Sequence, residues 1–182
     1  MIPWTDIRDR IYIKANDANQ QRFSIEQVIA QANDALAAFA SDHTPLSKET
    51  TLVADSVTQV FDLPGDAIES HPVYGVRYKG AWLFELDAVP GQVYEDMTGY
   101  LLWPSGKIEF PFTPTEDVTL FYNAYYPEIT GSGEETVDVP IWGREAVITY
   151  AAARLLQIQA AQMALLGNFK ERRDAGNPTD NP

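Results

Sequence analysis

The sequence predicts an α+β fold in which helices from the two ends of the chain pack together and an antiparallel β-rich subdomain is inserted between them. Three observations support this prediction. Apolar residues recur at helical spacing near the N-terminus and again after residue 140. Residues 50–139 instead contain short β-branched and aromatic runs that are broken by Gly, Pro and Asp. A chain of 182 residues can fill one core and still carry such an insertion.

The predicted organisation has four parts. Residues 1–49 form an N-terminal helical part, and residues 50–139 form the β-rich insertion. Residues 140–167 form a long C-terminal helix that completes the helical part. The remaining residues, 168–182, are too polar to order themselves, so we expect a flexible tail there.

The first strong helical signal begins after Phe23. Ser24 can cap a helix and Gln27, three residues later, can complete a capping box. Apolar residues then recur at three- and four-residue spacing until a turn sequence at residues 41–45, and they are Ile25, Val28, Ile29, Ala32, Leu36 and Phe39. Upstream, the spacing of Trp4, Ile7 and Ile11 indicates a shorter helix.

The middle of the chain has the pattern of antiparallel strands joined by tight turns. The predicted strands are residues 50–54, 58–63, 73–78, 82–86, 100–103, 107–110 and 118–126. Turn residues separate them at 63–66, 79–80, 90–91 and 104–106. In the last strand both alternating faces carry apolar or aromatic residues, which indicates that both faces are at least half covered.

The longest helical signal covers residues 143–166 and follows Pro140, a residue suited to a helix start. One apolar stripe comprises Val147, Ile148, Ala151, Leu155, Ile158 and Leu165. A second stripe beside it comprises Ala152, Leu156 and Met163. Two interpretations stay open, because this broad face fits either one wide core contact or a core contact plus a contact with a neighbouring subunit. The second stripe is therefore the candidate subunit interface.

Charge and composition exclude several classes of protein. The formal net charge of -13 argues against sequence-specific DNA binding, since affinity for nucleic acid comes largely from cations that neutralise phosphates. An acidic surface fits plain solubility or a passage through which DNA moves without adhering. The absence of cysteine excludes disulfides and thiolate chemistry, and it fits synthesis in a reducing cytoplasm. No apolar run is long enough for a membrane span or a signal peptide.

The sequence contains no residue pattern that predicts a catalytic, cofactor-binding or metal-binding site. His43 and His71 each lie close to a proline, where a solvated loop residue is the ordinary interpretation. Asp87, Glu95 and Asp96 resemble glycosidase carboxylates or a calcium loop, but the spacing of a calcium loop is missing. No phosphate-binding loop, nucleophile elbow or dinucleotide fingerprint occurs.

Two other functions remain as alternatives. A carbohydrate-binding or tail-fibre module would use strand aromatics as a stacking platform, and the candidates are Trp82, Trp103, Tyr122, Tyr125 and Tyr126. Such residues are also ordinary core residues. A small hydrolase would use a pair among the abundant carboxylates.

Four fragments, taken in order, resemble one known family. The first runs from Ala18-Asn19 through Arg22-Phe23-Ser24 and Glu26-Gln27-Val28 to Ala32-Asn33-Asp34-Ala35, and the second is Val60-Phe61-Asp62-Leu63-Pro64-Gly65-Asp66. The third is Leu120-Phe121-Tyr122 with Tyr126-Pro127, and the fourth is Val139-Pro140 with Glu145-Ala146-Val147 and Tyr150 to Leu156. Together they resemble the phage head-to-tail adaptor (head-tail connector) family. The chain departs from the family pattern at Trp142-Gly143 and in an apparent insertion at residues 131–135.

The resemblance implies a non-enzymatic structural protein of the virion neck that is assembled in the host cytoplasm. It implies a homo-oligomeric ring, dodecameric in the family, between the portal and the tail or a stopper (completion) protein, with DNA passing through its channel and no cofactor or membrane. The polar C-terminal tail would dock on the portal, and the candidate docking residues are Phe169, Lys170, Arg172 and Arg173. The same residues also fit a solvated charge run.

Overall fold

The computed structural model describes the backbone of residues 1–87 and 98–175 and the side chains of residues 1–87 and 98–166. The chain divides into two compact units. The helical unit consists of Met1–Phe39 and the chain from Pro127 onward, and the β unit is Ala40–Tyr126, which is inserted between the two segments of the helical unit. The predicted α+β class is confirmed, with N-terminal helices and a C-terminal helix packed together and a mostly antiparallel, curled seven-stranded sheet.

The helical unit begins with a short strand and two helices. Strand β1 is Ile2–Pro3, helix α1 is Trp4–Lys14 and helix α2 is Ile25–Asp42, so α1 follows the predicted spacing and α2 extends slightly past its predicted end. β1 pairs antiparallel with β9, Thr136–Val137. The predicted apolar positions of both helices are buried, including Trp4, Ile7, Ile11, Val28, Ala32, Leu36 and Phe39, whereas Ile25 is exposed.

The start of α2 shows the predicted capping box. The Ser24 amide donates to Oε1 of Gln27 at 2.9 Å, and the Gln27 amide donates to Oγ of Ser24 at 3.3 Å. These two bonds satisfy amides that a helix N-terminus otherwise leaves without an intrahelical acceptor.

Replacing the cap tests its contribution directly. We expect Ser24→Ala to lower the free energy of unfolding by about 1 kcal/mol, because the Gln27 amide loses its side-chain acceptor. Urea unfolding followed by circular dichroism measures this loss. Ser24→Asp keeps an acceptor at the cap and is expected to retain the stability of the parent chain; equal stability of the Ala variant would contradict the role of the cap.

Helix α3 is the longest element and spans Ile141–Ala175, on the order of 50 Å. The polarity of residues 170–175 predicts a flexible tail, but Lys, Glu, Arg and Ala are also strong helix formers, and the backbone stays helical to Ala175. The N-terminal part of α3 packs in the helical unit, where Val147, Ile148, Ala151 and Leu155 are buried. Glu145 pairs with Arg10 and Lys14 of α1 there. Over the described residues, no helix has the length and apolar character needed to cross a membrane.

The β unit contains one sheet whose strands follow the order β2-β8-β4-β5-β6-β7-β3. The strands are β2 Leu46–Leu52, β3 Val60–Asp62, β4 Val73–Tyr78, β5 Ala81–Glu85, β6 Gly99–Trp103, β7 Lys107–Glu109 and β8 Val118–Ala124. One face covers a core that includes Val76, Leu83, Ile108, Phe110 and Leu120.

Two features of the sheet differ from the prediction. β2 begins at Leu46 rather than residue 50, because its polar residues pair with β8 along seven positions from Leu46↔Ala124 to Leu52↔Val118. β5 and β6 are parallel, so the insertion is not wholly antiparallel. Parallel neighbours need a long connection, which runs here through residues 86–98. The turn predicted at 90–91 lies outside the described residues.

Candidate functional site

The part of α3 that follows the buried Leu155 exposes large apolar side chains. Leu156 is 40% exposed, Met163 is 66% exposed and Leu166 is 64% exposed. These three residues are seven and three positions apart, so they share one side of the helix. We call Leu156, Met163 and Leu166 the apolar helix face.

Of the predicted interface residues, two lie on this face and one does not. Leu156 and Met163 are exposed, but Ala152 is 3% exposed and has no surface left for a neighbouring subunit. The second predicted stripe is therefore buried at its start, at Ala152, and exposed to solvent at its end, at Met163. Leu165, which the sequence places on the core stripe, is also exposed, because the core contact of α3 has ended before that position.

The β unit exposes aromatic rings on the side of the sheet opposite its core. The Trp82 ring of β5 lies 5.2 Å from the Phe121 ring of β8, and the Tyr74 ring of β4 lies 6.2 Å from the same Phe121 ring. Trp82 is 56% exposed and Tyr74 is 53% exposed. We call Tyr74, Trp82 and Phe121 the aromatic patch. Phe84, two residues after Trp82 on β5, points to the same side of the sheet and is largely exposed.

A glycine positions the tryptophan of this patch. A Cβ at Gly75 of β4 would lie 2.9 Å from Cζ3 of Trp82, so the indole lies directly over the Gly75 backbone. Arg77 of β4 is opposite Trp82 in the strand register, and Glu49 of β2 is opposite Phe121. The patch thus has an acidic and a basic side chain at its edge.

The five aromatic residues proposed as a stacking platform do not form one exposed surface. Tyr122 and Tyr126 are buried, and Trp103 and Tyr125 are half-buried, which leaves Trp82 as the exposed member. Trp103 donates from Nε1 to Oε2 of Glu109 at 2.9 Å, so its polar edge is satisfied within the hairpin. The sequence pattern did not identify the exposed Tyr74 and Phe84 or the half-buried Phe121 as residues of this surface.

The candidate chemical residues are not brought together in the described part of the chain. His43 and His71 lie on exposed positions between strands or helices, and Asp87 is exposed at the end of the described segment. Glu95 and Asp96 lie outside the described residues. Within residues 1–87 and 98–166, no three His, Asp or Glu side chains are arranged to hold a metal ion.

One polar cluster in the β unit has a structural role. Asp66 accepts from Nζ of Lys48 at 2.5 Å and from the hydroxyl of Tyr122 at 3.2 Å, while its backbone carbonyl accepts from the amide of Tyr125 at 2.9 Å. Burial acts to raise the pKa of Asp66, but the hydrogen bond and charge of Lys48 outweigh it and the pKa is lowered. The cluster ties the Leu63–Asp66 turn to β2 and β8, so the aspartate of the second family-like fragment has a clear local function.

An open cleft of about 680 Å³ lies within the β unit. Its walls come from the loop that follows β3 and from the β6–β7 hairpin, and they include Trp103, Glu69 and Glu85. Among these lining residues there is no histidine, lysine or arginine to complement the carboxylates. The cleft therefore presents acidic, hydroxyl and apolar side chains.

The predicted portal-docking residues Phe169, Lys170, Arg172 and Arg173 have side chains outside the described residues, although the backbone that carries them is helical. A comparison of the chain with models of protein families and with curated proteins finds no match. The apolar helix face and the aromatic patch are the features that best define a candidate functional surface.

Proposed function

We propose that this chain is a structural virion protein, a head-to-tail adaptor that forms a ring between the portal and the tail or stopper of a tailed bacteriophage. The observation that carries the proposal is the apolar helix face, because Leu156, Met163 and Leu166 are exposed together on one side of a 35-residue helix. Contiguous exposed apolar side chains on a soluble protein mark an interaction surface. The resemblance of four ordered sequence fragments to adaptor proteins indicates which kind of assembly that surface serves.

The size of the face is consistent with one of several contacts per subunit. Fully burying an exposed Leu or Met side chain is worth about 1.5–3 kcal/mol, and these three are only 40% to 66% exposed, so burying their remaining surface yields roughly 3–5 kcal/mol before the costs of association. This is too little for a tight isolated dimer, whose association costs are of similar size. In a closed ring each subunit makes two such contacts, and closure holds every copy in place.

The charge of the chain fits a channel for DNA. A net charge of -13 on one copy becomes a strong negative potential when many copies surround a central opening. Phosphates are repelled by such a wall, so DNA passes without adhering to it. We therefore propose that the chain contacts DNA only during passage and does not bind it specifically.

Assembly of the chain alone is the first test. We expect size-exclusion chromatography with light scattering, and native mass spectrometry, to show a complex of several copies, and negative-stain microscopy to show rings. Leu156→Glu/Met163→Glu places two charges on the apolar helix face and is expected to leave a folded monomer, since burying unpaired carboxylates costs several kcal/mol. Ala161→Glu, at an exposed position on another side of α3, is the matched control and is expected to assemble.

The outcome of that experiment decides the proposal. If the parent chain is a monomer at its highest soluble concentration and also beside purified portal rings, the adaptor function is wrong. Equal assembly of the double variant and the Ala161→Glu control would remove the apolar helix face from the proposal.

Docking on the portal is a separate expectation that concerns the end of the chain. Deleting residues 169–182 removes the predicted docking residues, and we expect the shortened chain to fold and assemble yet no longer stack on portal rings in negative stain. Charged contacts of Lys170, Arg172 and Arg173 with acidic portal groups would be lost. Undiminished stacking would exclude the end of the chain from docking.

A further inference from the structure

A ring of more than two copies needs two different surfaces on every copy. A contact that uses the same surface twice produces a closed dimer, whereas a head-to-tail contact between different surfaces can continue around a ring. The exposed apolar surfaces of the described residues include the apolar helix face in the helical unit and the aromatic patch in the β unit. Their presence on different units makes them candidates for the two sides of one contact.

The aromatic patch is preorganised for such a contact. The Phe121 ring is close to both the Trp82 and the Tyr74 ring, and Trp82 lies over the Gly75 backbone, so the rings are held in position before a partner binds. Ordering side chains on binding costs about 0.5–1.5 kcal/mol for each one immobilised. Rings that are already held in position avoid much of that cost. In addition, Trp and Tyr are among the residues that most often dominate the binding energy at the centre of an interface.

Charge distinguishes between the possible pairings of these surfaces. The β unit, Ala40–Tyr126, contains 13 Asp and Glu but only four Lys and Arg. Helix α3 has the opposite balance, with five Lys and Arg against three Asp and Glu. Pairing two aromatic patches would bring two acidic units together, and pairing two α3 helices would bring two basic helices together. Pairing the patch with α3 joins opposite charges.

This inference rests on the proposed ring. We propose that the aromatic patch of one copy binds the apolar helix face of α3 from the next copy. Leu156 and Met163 lie against Trp82 and Tyr74 in this contact. Flexible Met and Leu side chains pack well against aromatic rings, and the sulfur of Met adds a favourable contact with them. Each copy gives its helix to one neighbour and its patch to the other.

Cysteine cross-linking tests this contact without background, because the chain contains no cysteine. Ala160→Cys lies on the side of α3 that carries Leu156 and Met163, and Glu49→Cys lies opposite Phe121 at the edge of the patch. The two single variants are purified separately, one with an affinity tag, mixed and oxidised. We expect a mixed disulfide-linked dimer on a non-reducing gel, formed from one copy of each.

Two matched controls make the result specific. Ala161→Cys lies on another side of α3, and Ser105→Cys lies in the β6–β7 turn, away from β2, β4 and β8 in the strand order. We expect either control, paired with the other partner, to give about tenfold less mixed dimer, since disulfides form only between closely placed Cβ atoms. Preferential linking of Glu49→Cys to itself, or of Ala160→Cys to itself, would overturn the head-to-tail pairing in favour of a symmetric contact.

A variant of the patch gives an independent measurement. Trp82→Ala is expected to weaken self-association of the chain by about thirtyfold, the effect of removing a central interface Trp. Val57→Ala removes another exposed apolar side chain of the β unit and is expected to have no effect. If the parent chain forms rings that Trp82→Ala leaves intact and that give no mixed cross-link, the patch contact is wrong while the adaptor proposal stands. If the parent chain never assembles, both fail.

Discussion

Asp17→Ala is expected to lower the free energy of unfolding of the helical unit by about 3 kcal/mol. Asp17 is the one charged side chain buried among the described residues, at 4% exposure. Its carboxylate accepts from three backbone amides, those of Gln21 at 2.9 Å and of Arg22 and Phe23 at 3.0 Å each. Leaving a buried donor without an acceptor costs about 1–3 kcal/mol. Two of the three donors belong to exposed residues that water can reach, which keeps the total below the sum of three full penalties.

The pH dependence of this effect identifies the charge as its origin. Burial acts to raise the pKa of Asp17, but the hydrogen bonds from Gln21, Phe23 and Arg22 outweigh it and hold the pKa below its ordinary value of 3.8. The folded state therefore binds the proton more weakly than the unfolded state does. The stabilisation by Asp17 is therefore fully present when the pH is above the pKa of the unfolded state. It is lost as the pH falls through the lower pKa of the folded state.

Asp17→Asn is the matched variant, because it preserves shape but replaces one acceptor oxygen with a donor. We expect it to lose about half as much stability as Asp17→Ala, since one oxygen still accepts. Urea unfolding at several pH values measures both variants against the parent chain. If the free energies of unfolding of the parent chain and of Asp17→Asn still differ by the same amount below the folded-state pKa of Asp17, the electrostatic explanation is contradicted.

Gly143→Ala is expected to destabilise the chain by about 2 kcal/mol, although alanine ordinarily favours helices. A Cβ at Gly143 would lie 2.2 Å from Cζ and 2.7 Å from Cε2 of Phe39, which is itself buried. Overpacking of this kind costs about 1–3 kcal/mol or somewhat more, and it exceeds the gain of up to about 1 kcal/mol from replacing glycine in a helix. Thermal unfolding followed by circular dichroism measures the change.

A second substitution separates the steric cause from other effects. Phe39→Leu opens the space that the new methyl group needs, so the double variant Phe39→Leu/Gly143→Ala is expected to be more stable than the sum of the two single changes predicts. Gly133→Ala, where a Cβ would meet nothing within 4 Å, is the control and is expected to stay within about 0.5 kcal/mol of the parent chain. Additive effects of Phe39→Leu and Gly143→Ala would exclude the proposed clash.

The Phe39 contact also shows a structural role for Trp142 and Gly143, two residues that do not fit the pattern the sequence otherwise resembles. The sequence has Trp142-Gly143 at the start of the long helix, where the family pattern begins with aspartate. In the structure the Phe39 ring of α2 lies against the Gly143 backbone and 5.4 Å from the Trp142 ring. Trp142 and Gly143 therefore form part of the contact between α2 and α3, which the tertiary structure shows and the sequence of α3 alone does not.

The candidate site could be predicted in part. The second apolar stripe of α3 correctly placed Leu156 and Met163 on one side of the helix, because helical spacing fixes which residues share a face. It did not show that Ala152 is buried while Met163 is exposed, since burial depends on where the core contact ends. The aromatic patch was missed apart from Trp82, because alternation along a strand separates two faces without stating which one meets water.

The sequence by itself determined the α+β class, the start of α2 with its capping box, and the positions of most strands. These features depend on local spacing, capping and turn chemistry, which act between residues close in the chain. The tertiary structure alone decided the parallel β5–β6 pair, the burial of Asp17 and the exposure of Tyr74 and Trp82. Strand pairing and side-chain burial depend on which elements pack against each other, and no spacing of neighbouring residues in the sequence specifies that packing.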